Sequence, residues 1–190
     1  MVYWKELIAV FGSYALGCFS AGYYLVRRST GQDIRRVGSG STGGRNVGRL
    51  LGEKGFIITV LIDLGKGAVA VGAASFLGLK PWAITMVMLA VVIGHIWPVQ
   101  LRFHGGKGIA TSLGALLVYD YVTALIIVVL CLGVFILTRN LTMSGLAAVA
   151  GAPLVPLFLG RPQVAAVTLF TLAVIVLFAH KKNIMNCIGG

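Results

Sequence analysis

The chain has 190 residues, 58% of them hydrophobic and 11% charged, where an ordinary soluble domain is about 25% charged. Its mean hydropathy is +0.94. This excludes a water-soluble globular fold and leaves no length for a soluble domain beside membrane helices that each need about 20 apolar residues, so residues 1–190 are read as a single integral membrane domain. The net charge of +11, from 16 Lys and Arg against five acids, suits anionic lipid or a phosphorylated small molecule. In a membrane chain both outrank nucleic acid, which is not expected as a partner. Cys18, Cys131 and Cys187 are scattered and form neither a disulfide framework nor a metal-ligand spacing, so no metal is expected.

In chain order, the first apolar run covers 4–26. It follows Lys5 and Glu6 as a signal-peptide core would, but the later apolar runs make it a retained first helix. Further spans are expected at 55–77, 81–98, 108–119, 121–138, 141–159 and 163–180, giving an all-α polytopic protein with seven transmembrane helices. The run 108–119 is short, and its separation from the next rests on Tyr119, Asp120 and Tyr121, which suit an interface; a six-span reading merges or submerges it. The first loop carries Arg27, Arg28, Arg35, Arg36, Arg45, Arg49 and Lys54, and loops on the same side add Arg102, Lys107, Arg139, Lys181 and Lys182. The opposite side has only Lys5, Lys80 and Arg161. The positive-inside rule then puts the N-terminus outside and the C-terminus in the cytoplasm, which requires an odd number of spans. Small residues spaced as Ser13 and Gly17 allow close helix packing.

The first cytoplasmic loop reads Gly38-Ser39-Gly40-Ser41-Thr42-Gly43-Gly44-Arg45-Asn46-Val47-Gly48-Arg49. Glycines let successive backbone N–H groups converge on an oxyanion, hydroxyls add donors, and Arg supplies a bidentate fork. The competing account is a flexible loop whose arginines only set topology. Gly38, Gly40 and Gly43 match G-x-G-x-x-G, but without the strand and βαβ unit of a dinucleotide site. In the second loop, Gly105-Gly106-Lys107-Gly108 lacks the Ser or Thr that follows Lys in a Walker loop. Lys107 instead precedes an apolar run, where a phosphate would meet an ammonium and helix-start N–H groups.

Asp63 and Lys66, three apart in the second span, share a helix face, and intramembrane charge is costly enough to suggest function; a structural pair orienting the glycine loop explains them equally well. His95 closes the third span and is readable as base, donor or interface residue. His104 carries no further positional signal. At the end of the last span, Lys181 and Lys182 suit interface anchoring, whereas Asn183 is better explained as a ligand to hydroxyl or phosphate.

Taken in order, Gly38-Ser39-Gly40 with Gly43, Asn46 and Arg49, then Asp63-x-x-Lys66-Gly67, then His95 with Gly105-Gly106-Lys107-Gly108-Ile109-Ala110-Thr111, then His180-x-x-Asn183-Ile184 resemble the acyl-phosphate:glycerol-3-phosphate acyltransferase family, PlsY type. The match runs almost the length of the chain. The resemblance implies a seven-helix fold in the bacterial cytoplasmic (inner) membrane, with the active site facing the cytoplasm. It also implies transfer of a fatty acyl group from acyl phosphate to the 1-hydroxyl of glycerol 3-phosphate, giving lysophosphatidate and phosphate for phospholipid biosynthesis. No cofactor is implied; the implied partners are the two substrates, membrane lipid and, functionally, the enzyme that makes acyl phosphate. By motif position, the glycine loop with Lys107 would hold phosphate, and His180 and Asn183 would bind or orient glycerol 3-phosphate. The expected catalytic set is Arg45, Lys107, His95 and His180. Gly38, Ser39, Gly40, Ser41, Thr42, Gly43, Asn46, Arg49, Gly105, Gly106, Gly108 and Asn183 are expected to bind substrate, with Asp63 and Lys66 as a supporting intramembrane pair. The chain departs from the family at Ser41, where Asn is usual, at Lys181, where Arg is usual, and in ending Asn186-Cys187-Ile188-Gly189-Gly190 rather than in a longer acidic tail.

Both implied substrates are phosphates, each carrying up to about two negative charges near neutral pH, so clustered cations would offset their repulsion and stabilise charge developing in the transition state. Acyl phosphate is activated and its leaving group needs little protonation, which leaves deprotonation of the attacking hydroxyl. His95, His180 or a phosphate oxygen of the donor can take that proton. Asp33 and Glu53, the carboxylates on that side, form no base-and-orienter pattern, which favours the substrate-assisted route. Five residues beyond His95 stands Gln100, so the His-x-x-x-x-Asp dyad of thioester-dependent acyltransferases is missing. A transporter for a phosphorylated anion would use the intramembrane charges, but no inverted repeat is visible and the polar signals gather on one side. A structural lipid-binding subunit needs the basic loops but not the Gly-Ser-Asn-Arg pattern.

Overall fold

The computed structural model describes residues 3–188, with 186–188 as backbone alone. Of the distinctive C-terminal tail, the Cys187 side chain and Gly189 and Gly190 therefore lie outside the described residues. All regular structure among those residues is helical.

The expected span 4–26 is two helices, α1 (Trp4–Cys18) and α2 (Ala21–Thr30). Phe19 leaves the helical region between them (φ −62°, ψ 112°). The helix expected at 55–77 begins much earlier, because α3 spans Gly44–Phe76 with a kink at Gly52 (φ 69°, ψ −167°), a conformation that glycine alone adopts readily. Half of the predicted glycine loop is thus the first turns of a helix. α4 is Pro81–Ile96, with Pro81 in the first turn, where its missing N–H has no helical partner to lose. α5 (Ile109–Tyr119) and α6 (Tyr121–Thr138) part at Asp120, whose carboxylate accepts from Thr123 N (3.3 Å) and Oγ1 (2.8 Å). This N-cap is the physical content of the Tyr-Asp-Tyr break. The expected span 141–159 is also divided, into α7 (Leu141–Gly151) and α8 (Leu154–Phe158), around Pro153. α9 (Gln163–Ala179) and α10 (Lys181–Ile188) follow.

Among the described residues, four helical stretches are long and apolar enough to cross a membrane: Trp4–Thr30, Gly44–Phe76, Pro81–Leu101 and Tyr121–Thr138. Three shorter apolar helices, α5, α7 and α9, accompany them. Large apolar side chains such as Phe11, Phe76, Leu137 and Phe158 point outward, as expected where lipid is the solvent.

The helices form two compact units, Met1–Ala115 and Leu116–Gly190. In the first, α1 and α4 run parallel. At their beginnings Tyr3 meets the Trp82 ring edge-on at 5.7 Å and Lys80 lies over Tyr3 at 4.8 Å; at their ends Gly17 and Gly94 face each other. A β-carbon on Gly17 would run into Val91 O, and one on Gly94 into Tyr14 O, so the close approach expected from the Ser13 and Gly17 spacing does occur. α3 packs on α5 in the same way, Gly67 against Thr111 O and Gly114 against Leu64 O. Val26, Ile34 and Val47, fully buried, tie α2 and the turn after it to the start of α3. In the second unit α6 turns into α7 through Asn140, which caps Thr142 N at 3.1 Å and Met143 N at 3.3 Å. Arg161 closes on Asp120 at 2.8 and 3.1 Å.

Candidate functional site

The glycine-rich segment is an organised structure whose anchors are side chains. Before it, Asp33 accepts from Arg35 N at 3.0 Å and holds the Arg35 guanidinium at 2.6 to 3.2 Å. The hydrogen bond from Arg35 holds the Asp33 carboxyl down at about 2, against its partial burial. Arg35 also donates to Leu101 O at 2.8 Å and lies over the Tyr23 ring at 5.1 Å. It therefore braces the first loop against the second, beyond the topogenic role its sequence position suggested.

Gly38 and Gly40 have φ of 60° and 70°, so the chain turns there where other residues are strained. Asn46, expected to face substrate, is buried inside that turn. Its Nδ2 donates to Val37 O (2.9 Å) and Ser41 O (3.0 Å), with Ile34 O at 3.4 Å, and its Oδ1 accepts from Ser39 N at 3.0 Å. The amide is spent on the backbone of its own loop. Ser41 Oγ accepts from Gly43 N at 3.2 Å.

The two glycine segments meet, with Thr42 N donating to Gly105 O at 3.2 Å. The second folds back on the end of α4, Gly105 N to Ile96 O at 3.1 Å and Gly106 N to His95 O at 3.0 Å. A β-carbon on Gly105 would strike His95 O, and one on Gly106 the imidazole Nε2 of His95, so no larger residue fits at either position. Gly108 (φ 90°) leads into α5. Lys107 is half-buried; burial lowers its proton affinity, and the positive charges of Arg45 and Arg49 lower it further. Three cations therefore converge from the two segments, and Arg45 and Arg49 have no carboxylate within ion-pair distance among the described residues. Thr42 Oγ1, Thr111 Oγ1 and Ser112 Oγ are buried without a hydrogen-bond partner among the described residues. Of these, Thr42 sits where the two glycine segments join, and an unmet hydroxyl with clustered cations is what an oxyanion satisfies.

Below this, Asp63, Lys66 and His95 form one buried cluster. Lys66 Nζ lies 3.0 Å from Asp63 Oδ1 and 2.7 Å from His95 Nδ1, and Asp63 Oδ1 lies 3.3 Å from His95 Nδ1. The break after α1 supplies more partners: Lys66 donates to Gly17 O (3.1 Å) and Phe19 O (2.9 Å), and Gln100 Nε2 to Cys18 O. Tyr14 OH reaches Trp97 O at 2.9 Å. Tyr14 did not stand out in the sequence, and Gln100 did so only as the residue standing where a dyad Asp would be, since a lone amide and a lone tyrosine carry no spacing signal for a contact of this kind.

The family model for glycerol-3-phosphate acyltransferase matches residues 7–190. The chain belongs to that family. Glycerol-3-phosphate acyltransferase 1 of Desulfitobacterium hafniense (strain Y51) is 44% identical over 184 residues, 97% of this chain and 91% of that one. A glycerol-3-phosphate acyltransferase of Thermus thermophilus is 39% identical over 181 residues, 95% and 88% of the two chains. Crystal structures of PlsY (YgiH), an integral membrane glycerol 3-phosphate acyltransferase, superpose with TM-scores of 0.91 for the glycerol 3-phosphate form and 0.88 for the lysophosphatidic acid form. Their identities to this chain are 31% and 29%, each comparison covering 98% of this chain and 93% of the other. This acyltransferase is thus a PlsY-type integral membrane protein.

Of the expected site residues of the acyltransferase, Gly38 to Asn46, Arg49, Asp63, Lys66, His95 and Gly105 to Gly108 all fall in the first unit. His180 and Asn183 belong to the second. There His180 is buried and its Nδ1 lies 2.8 Å from Val176 O. A carbonyl only accepts, so Nδ1 carries a proton. Asn183 N donates to His180 O at 2.8 Å, which opens α10. His104 is exposed on the second loop.

Proposed function

We propose that this acyltransferase takes its fatty acyl group from acyl phosphate and delivers it to the 1-hydroxyl of glycerol 3-phosphate, releasing lysophosphatidate and phosphate. The whole chain acts as one acyltransferase domain in the bacterial cytoplasmic membrane, coupled functionally to the enzyme that supplies acyl phosphate. The observation that carries the reading is the meeting of the two glycine segments through Thr42 N and Gly105 O, with Arg45 and Arg49 crowding Lys107. That cluster is unfavourable without an anion and favourable with one or two phosphates.

In the reaction the acceptor hydroxyl oxygen bonds to the acyl carbon, the tetrahedral oxyanion collapses, and the bond from that carbon to the phosphate oxygen breaks. The hydroxyl proton passes to a phosphate oxygen of the donor and leaves with it. Arg45, Arg49, Lys107 and backbone N–H groups offset the charge on the two phosphates and on the oxyanion. The acyl chain lies in hydrocarbon with its carbonyl at the cytoplasmic interface.

The topology proposed has seven spans, N-terminus outside and C-terminus in the cytoplasm. It is supported by the parallel course of α1 and α4, whose first turns share Tyr3, Lys80 and Trp82. The pairing of Asp120 with Arg161, at two connections assigned to the outer face, supports it too.

The test supplies purified protein with labelled glycerol 3-phosphate and either palmitoyl phosphate or palmitoyl-coenzyme A. Lysophosphatidate is expected from the first alone; product from the thioester alone, or from neither, overturns the reading. Arg45→Ala and Lys107→Ala are each expected to lower turnover by about a hundredfold. Arg27→Ala is expected to change it little, because Arg27 only closes the end of α2 on Gly31 O at 2.6 Å.

A further inference from the structure

His95 can serve as proton acceptor or as hydrogen-bond donor, and the choice depends on which ring nitrogen holds its proton. Its Nε2 edge lies against Gly106 of the glycine–lysine segment, while Nδ1 faces Lys66 and Asp63. Lys66 Nζ contacts two carbonyls, Gly17 O and Phe19 O, which accept only and so consume two of its protons. Asp63 Oδ1 lies 3.0 Å from Nζ and 3.3 Å from His95 Nδ1, but neither contact has hydrogen-bond geometry among the described residues, so the third N–H of Lys66 goes to His95 Nδ1 at 2.7 Å. The carboxylate of Asp63 can balance one buried cation and not two. In ordinary solution a lysine amine outcompetes an imidazole for that proton by about four pH units. The proton therefore stays on Lys66, whose third N–H points at Nδ1, and a neutral imidazole accepting at Nδ1 carries its own proton on Nε2.

We propose that Lys66, held by Asp63 and by the carbonyls freed at the α1 break, locks His95 as the Nε2–H tautomer, making it a hydrogen-bond donor toward the Gly105–Lys107 segment and not the base. Lys66 and Asp63 are positioning residues, acting through His95. The tautomer stands independently of the substrate assignment; the consequence for rate rests on the acyl-transfer reading. With His95 excluded as proton acceptor, the hydroxyl proton goes to the donor phosphate, as in the proposed reaction.

The test uses the full chain, labelled with 15N-histidine and embedded in lipid nanodiscs, with the His95 signals assigned by their loss in His95→Gln. Near neutral pH, Nε2 is expected to show a bonded proton and Nδ1 none. An imidazolium, or a proton on Nδ1, overturns the proposal. In Lys66→Met the proton is expected to move to Nδ1, facing Asp63; an unchanged tautomer overturns the role of Lys66. Should that variant fail to fold, the wild-type spectrum still decides the tautomer. In the acyl phosphate assay, His95→Gln sets an amide N–H near the Nε2 position and is expected to retain activity within about tenfold, whereas His95→Leu loses about a hundredfold or more. Equal loss in both overturns the donor role. Absence of turnover in the wild type overturns the acyl-transfer reading and leaves the spectroscopic result standing.

Discussion

Burial and the positive charges of Arg45 and Arg49 act on Lys107 in the same direction, each opposing its charge. In the ligand-free protein that charge is a cost to folding, fully present below the lowered titration of Lys107 and relieved progressively between that titration and the ordinary lysine value. A bound phosphate reverses the balance by favouring the ammonium. The KM for glycerol 3-phosphate is therefore expected to stay low on the acid side of that titration and to rise through it, at a pH below the ordinary lysine value. Lys107→Arg, always charged, is expected to keep KM flat over the same alkaline range. A flat wild-type profile of KM against pH counts against Lys107 as a phosphate ligand. The sequence marked Arg45, Arg49 and Lys107 as the cations that share glycine-rich segments, and the fold brings their charges within reach of one another. It could not assign Asn46, because an amide amid glycines reads equally well as a ligand or as an anchor. Only the folded turn commits its donors to Val37 O and Ser41 O.

Among the elements, interruptions matter as much as helices. The α1 break leaves the carbonyls of Gly17, Cys18 and Phe19 for Lys66 and Gln100, and in apolar surroundings each unmet carbonyl is expensive. Apolar periodicity did not reveal this break, since the residues on both sides of it are equally at home in a helix. The Gly52 kink lets α3 start within the glycine-rich segment and so carry Arg45 and Arg49 on regular backbone. The contact of α1 with α4 depends on a missing side chain at Gly94, where a β-carbon would meet backbone of α1. Gly94→Val is expected to destabilise the protein by about 1–3 kcal/mol through overpacking, read as a lowered midpoint of thermal unfolding in detergent. Gly12→Val, where a β-carbon meets nothing within 4 Å, is the control and is expected to leave the midpoint unchanged.

For the whole molecule, the topology is the property to test. In a background without Cys18, Cys131 and Cys187, Lys5→Cys is expected to react with an impermeant maleimide on intact cells, and Lys182→Cys only after permeabilisation. Labelling of both from the same side overturns the odd number of spans. Composition alone determined that the chain lives in lipid, because a chain with 11% charged residues cannot clothe its surface for water. The distribution of Lys and Arg is what the proposed sidedness of the loops rests on, and the order of the glycine motifs determined the family. These properties are additive along the chain, so they survive being read one residue at a time. Tertiary structure decided the rest: that the two glycine segments join through Thr42 and Gly105, that Arg35 braces one loop against the other, and that His95 completes the pair predicted from Asp63 and Lys66. Each of these is a meeting of residues far apart in the chain, brought about by backbones that approach closely at Gly17, Gly67, Gly94 and Gly114. A glycine in the sequence says only that close approach is permitted; which backbone comes near is settled by the packing of the whole helical unit.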